Sequence, residues 1–96
     1  MVEVRTTAIF DRWLRRLRDD RARARVLHRV DRLVAGNPGD VRSVGEGVLE
    51  MRIDHGPGYR VYFTQQGSTV FLLLVGGDKR TQRADIVTAL RLARSL

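Results

Sequence analysis

The chain has 96 residues, of which 43% are hydrophobic and 30% charged, and carries a formal net charge of +7. That length provides one domain burying roughly 65% of its unfolded surface, and the composition is that of a globular chain, not a disordered one. The lack of cysteine excludes a disulfide framework and a cysteine-based zinc site; no apolar run approaches the ~20 residues that span a bilayer and no signal-peptide core is present, so a soluble cytoplasmic protein without membrane association is expected.

From the N-terminus, Val2 and Val4 alternate with Glu3 and Arg5, which predicts a short strand over Met1 to Thr6. Thr6 or Thr7 can cap a helix whose Phe10, Trp13, Leu14 and Leu17 form one apolar stripe. Asp19 and Asp20 offer a second cap, for a longer helix with Ala22, Val26, Val30, Leu33 and Val34 inward. That helix ends before Gly36-Asn37-Pro38-Gly39, and the two helices form a hairpin. Asp40 to Gly47 reads as loop. Leu49 to Ile53 and Tyr59 to Phe63 then alternate apolar and polar residues on either side of Gly56-Pro57-Gly58, which predicts a β-hairpin.

In the register that pairs Ile53 with Tyr59, Met51 faces Val61 and Leu49 faces Phe63, giving an apolar face. Arg52 lies across from Arg60 on the other face. Gln65 to Ser68 is a second turn, and Val70 to Val75 is wholly apolar, as a strand covered on both faces would be. Gly76-Gly77 closes that strand, and Thr81 is the expected cap of a last helix with Ile86, Ala89, Leu90 and Ala93 inward. The order β-α-α-β-β-β-α predicts a single α+β domain over residues 1–96. A small antiparallel sheet of three or four strands would pack its apolar face against the N-terminal helical hairpin and the C-terminal helix.

Eighteen basic residues against eleven acidic ones point to a polyanionic partner. Arg52 and Arg60 facing each other across a ladder cost stability, which suggests an anionic ligand; the alternative is that they pair with Glu50 or Asp54 on a solvated face. Arg60, pinned between Tyr59 and Val61, offers a rigid fork of donors for a phosphate. Lys79 and Arg80 follow the Gly-Gly bend close by. His55, in the hairpin turn, has the ring chemistry of an acid or base near neutral pH, and Tyr62 lies beside Arg60. His28, between Leu27 and Val30, reads as structural. Nine arginines between Arg12 and Arg32, against Asp19, Asp20 and Asp31, make either a solvated outer face or a phosphate-backbone footprint. No metal-ligand spacing, phosphate loop or cofactor motif occurs.

The blocks Gly45-Glu46-Gly47-Val48, Gly56-Pro57-Gly58-Tyr59-Arg60-Val61-Tyr62 and Gly77-Asp78-Lys79 resemble the RelE/HigB-like superfamily of bacterial type II toxins, above all its short "addiction module killer protein" branch. The resemblance implies a toxin made with a cognate antitoxin, often one carrying a helix-turn-helix DNA-binding domain, so that operator DNA is met only through the complex. It also implies cleavage of mRNA on the ribosome by attack of a ribose 2′-OH on the adjacent phosphate. By position, Arg60, Arg80 and its neighbour Lys79 would be catalytic and Arg52 would bind substrate; His55 and Tyr62, nearby in the chain, are expected to bind substrate with it. Two departures stand out: Ile86 occupies the place of a proton-transferring Tyr or His, and Glu50 that of a strand lysine. The alternative within the same fold is a non-enzymatic ParE-like toxin that poisons DNA gyrase by protein contacts.

Overall fold

A computed structural model describes residues 2–96; Met1, the first residue of the expected strand, lies outside the described residues. The chain runs β1 (Glu3–Thr6), α1 (Ala8–Arg16), α2 (Asp20–Val34), β2 (Val41–Gly45), β3 (Val48–Ile53), β4 (Tyr59–Gln66), β5 (Val70–Gly77), a single 3-10 turn (Lys79–Thr81) and α3 (Gln82–Arg94). The fold is α+β, as expected. No helix is long and apolar enough to cross a membrane among the described residues.

The helix starts follow from side-chain chemistry. Thr7 accepts from Phe10 N at 3.0 Å, and Asp19 accepts from Arg21 N and Ala22 N at 3.0 and 3.3 Å, satisfying amides that a helix N-terminus leaves unpaired. Thr81 does not cap α3 with its side chain. Asp78 caps the preceding 3-10 turn instead, accepting from Arg80 N at 2.8 Å.

The sheet has five strands in the order β1-β5-β4-β3-β2. β2 occupies the segment expected to be loop, with Val41 to Ser43 paired antiparallel to Met51 to Leu49. β1 lies parallel to β5, Glu3 beside Val70 through Thr6 beside Leu73, so the sheet is mixed. Only neighbours joined by short turns are bound to be antiparallel; β1 meets β5 across almost the whole chain. Thr7 locks that junction by donating from its hydroxyl to Leu74 O at 2.6 Å.

The sheet is apolar on both faces, which corrects the expected placement of all helices on one side. One core joins Phe10, Val26, Val30 and Leu33 of α1 and α2 to Met51, Ile53, Val61, Phe63 and Leu73. The other sets α3, through Ala89, Ile86 and Leu90, against Val48, Tyr62, Leu72, Leu74 and Val75. The apolar run of β5 divides between these two layers, and each fully buried large side chain contributes about 1.5–3 kcal/mol. The edge turn at Glu46 is tied back to α3 by Arg94 at 2.7 Å.

Candidate functional site

The observed β3–β4 register is the expected one: Ile53 pairs with Tyr59, Met51 with Val61, and Arg52 with Arg60. The two arginines line one groove of about 340 Å³ together with Asp40, Ile53, Asp54, Gly58 and Tyr59. A carboxylate beside each offsets their like charge. Arg52 donates to Asp40 Oδ1 at 2.8 and 3.2 Å. Arg60, 12% exposed, gives Nη1 to Gly58 O at 2.7 Å and sets Nε 3.7 Å from Glu50 Oε2. That separation is too long for a hydrogen bond, and Arg60 Nε is a buried donor without a partner among the described residues.

Glu50 is the hub beneath the groove. It has no exposed surface, yet it accepts from Arg42 Nε at 2.8 Å, Tyr62 hydroxyl at 2.8 Å and Gln82 Nε2 at 2.9 Å. Burial pushes its carboxyl upward, but those three bonds outweigh it and hold the group below the usual carboxylate range. Tyr62 is equally buried; burial, then its bond to the Glu50 carboxylate, pushes the phenol far above its ordinary value. Tyr62 therefore has no surface with which to touch a substrate, contrary to the binding role the sequence suggested. The face carrying Arg52 and Arg60 is not a solvated one either, because α3 covers its centre.

Two consecutive glycines fix the route out of β5. A Cβ on Gly76 would stand 2.0 Å from the Trp13 ring, and one on Gly77 would stand 1.8 Å from Asp85 Oδ2. The strand end is thus pressed between α1 on one face and α3 on the other. Asp85 also accepts from the Thr81 hydroxyl at 2.6 Å; burial, with Asp78 nearby, holds its carboxyl above the ordinary range. The bend sets the Lys79 stem beside Gly58 at the groove's edge: a Cβ on Gly58 would meet Arg60 Nη1 at 3.2 Å and the Lys79 Cβ at 3.8 Å.

Arg80 stands off the groove. It is 81% exposed and paired with Asp78 at 3.0 Å. His55 does not line the groove either. Its Nε2 lies 3.1 Å from Asp19 Oδ2 and its ring stacks on Tyr59, so it fastens the hairpin turn to the cap of α2. The structure therefore brings Arg52 and Arg60 together in the cavity, sets the stem of Lys79 beside its Gly58 edge, and leaves Arg80, His55 and Tyr62 outside. Sequence reasoning missed Asp40 as a groove residue and weighed Asp54 only as a salt partner. Asp54 makes no ion pair among the described residues. Its place after the strand that carries Arg52 was the available signal. Ile86 is half-buried in the α3 core.

Residues 12–94 match the family described as phage derived protein Gp49-like (DUF891). The chain is also similar to an uncharacterized protein of Haemophilus influenzae, 47% identical over 95 residues that cover 99% of this chain and 96% of that relative.

Proposed function

The chain belongs to the phage-derived Gp49-like family, and from that membership we propose that it is the toxin of a type II toxin–antitoxin module, acting in the cytoplasm as a ribosome-dependent mRNA endoribonuclease. The observation that carries this reading is the pair of guanidiniums, Arg52 and Arg60, lining one groove, with the stem of Lys79 beside its Gly58 edge. Their internal partners do not disqualify them. The Arg52–Asp40 pair is exposed on both sides, and such pairs are worth ~0–1 kcal/mol, so an incoming phosphate can exchange for the carboxylate. Arg60 commits Nη1 to Gly58 O and turns Nε inward toward Glu50, which leaves Nη2 without a hydrogen bond among the described residues.

In this reading Arg60 and Arg52 grip the non-bridging oxygens of the scissile phosphate and stabilise the charge that builds on them. The 2′-OH attacks phosphorus, the bond to the 5′ oxygen breaks, and a 2′,3′-cyclic phosphate forms. Asp54, the uncommitted carboxylate of the groove, takes the 2′-OH proton, and Lys79 protonates the leaving 5′ oxygen. General acid–base help of this kind is worth ~10²–10⁴-fold. The partner is a cognate antitoxin, with a helix-turn-helix domain that alone contacts operator DNA.

A second reading is favoured by the buried Tyr62 and by Ile86 at the start of α3: a non-enzymatic toxin that acts on DNA gyrase by protein contact. Induction of the chain without its antitoxin, with mapping of mRNA 5′ ends and of DNA supercoiling, separates the two. New in-frame ends at ribosome-occupied codons support the nuclease. Intact mRNA with a gyrase-linked DNA-damage response supports the second reading and removes the first.

A further inference from the structure

The arginine-rich segment of α2 carries a second cavity. It measures about 220 Å³ and is lined by Arg25, His28, Arg29, Arg32, Ile53 and Asp54. At 100° per residue the four α2 side chains fall within an arc of about 100°, so they make one face. His28, read from sequence as structural, is exposed on that face. No carboxylate forms a salt bridge with Arg25, Arg29 or Arg32 among the described residues. Like charges at such spacing destabilise a helix.

One of these cations is built in, not merely solvated. Arg29 donates through Nη1 to Arg52 O and through Nη2 to Pro38 O, the latter at 3.0 Å. Its guanidinium is therefore held in place by neutral carbonyls and makes no salt bridge among the described residues, with the Asp40 carboxylate a weaker influence at longer range. Burial, then the adjacent Arg32, lowers its pKa. The cavity also adjoins the groove of Arg52 and Arg60: Ile53 and Asp54 line both.

We propose that the α2 cavity is a second phosphate-binding site, which holds the backbone of a single-stranded RNA whose neighbouring segment occupies the Arg52–Arg60 groove. Arg25 and Arg29 are about 6 Å apart along the helix axis and Arg32 about 4.5 Å further, a spacing that suits successive phosphates of an extended strand. The site offers three guanidiniums and an imidazole against the single carboxylate of Asp54, with Ile53 its one apolar lining residue and no Phe, Tyr or Trp ring to stack a base, so it grips backbone charge and not base identity. An acidic protein segment is the competing occupant; the direct adjoining of this cavity and the Arg52–Arg60 groove, with cations in each, favours the nucleotide chain. The proposal rests on the nucleic-acid reading of that groove.

The test uses the full chain, a 2′-O-methyl uridine dodecamer that resists cleavage, and a dinucleotide of the same chemistry. Binding is measured across a salt series for wild type, Arg25→Gln/Arg32→Gln and Arg52→Gln, with thermal unfolding as the check on folding. Each lost phosphate contact shallows the slope of log affinity against log salt by about 0.7. The α2 double variant is expected to shallow the dodecamer slope by about 1.4 and leave dinucleotide binding unchanged, while Arg52→Gln weakens both ligands. Wild-type dodecamer binding in the double variant, with Arg52→Gln still weakened, overturns the α2 site and leaves the groove reading standing. Loss in the double variant alone removes the groove as an RNA site and overturns the path across both cavities. No dodecamer binding by wild type, or tight binding of an oligoglutamate peptide in its place, overturns the proposal.

Discussion

The Tyr62 hydroxyl donates to the Glu50 carboxylate at 2.8 Å although neither side chain has any exposed surface. The two residues pair directly across β3 and β4, so the bond crosses the sheet at its centre and beneath α3. A buried carboxylate is tolerable only when its lone pairs are filled, and Arg42, Gln82 and Tyr62 fill them. Removing the hub is therefore worse than removing any spoke. Glu50→Ala is expected to cost about 3–5 kcal/mol, much of the margin of a small domain. Chemical denaturation should show the midpoint falling sharply.

The same network sets the acid limit. The folded-state pKa of Glu50 lies below its ordinary value, so its stabilisation is complete above the unfolded value of ~4.3 and is lost as pH falls through the folded value. Stability should drop from about pH 4 downward, and Glu50→Gln should flatten that decline. Thermal melts from pH 7 to pH 2 measure both.

Asp85 has the opposite sign. Burial raises its pKa, so the folded state loses stability as pH climbs from the unfolded value of ~3.9 through the folded one. Asp85→Asn keeps an acceptor for the Thr81 hydroxyl and removes the buried charge. It should melt higher than wild type at pH 7 and no higher at pH 3, where the wild-type group is protonated.

Gly76 and Gly77 are there to be covered. Gly76→Ala would drive Trp13 off the strand, and Gly77→Ala would displace Asp85. Each is expected to cost about 1–3 kcal/mol. Gly76→Ala alone should also shift the tryptophan emission, since Trp13 is the single tryptophan, while far-ultraviolet circular dichroism stays native.

Groove cations divide into a clean probe and a compromised one. Arg52→Gln removes an exposed pair with Asp40 and should change stability by less than about 1 kcal/mol while relieving growth arrest in antitoxin-free cells. Arg60→Ala should relieve it too, but at a cost of about 1–3 kcal/mol, because Arg60 is packed beside Glu50. Growth arrest retained by both variants, with normal melting of Arg52→Gln, would remove the groove from the toxic act.

The hairpin could be read from the chain because a turn of fixed length and strict alternation determine register, and that register carries Arg52 and Arg60 together. The second apolar face could not. Its alternating positions on β3 and β4 are Glu50, Arg52, Arg60 and Tyr62, which look solvated until the buried network that satisfies them is known. β2 was hidden because its Arg42, Ser43 and Gly45 carry little strand signal and its pairing depends on β3. The groove's carboxylates were obscured for a similar reason: Asp40 and Asp54 lie just outside regular strands and meet only after β2 docks.

The alignment of β1 with β5 has a bearing on synthesis. Among the described residues β1 has its one sheet partner in β5, the last of the five strands in chain order, and long-range parallel pairing is slow. Lys79 and the bend that sets its stem beside Gly58 come later still. A chain made only as far as β4 thus holds neither the completed sheet nor the bend beyond β5, so the strand that carries Arg60 gains its second neighbour only when β5 docks.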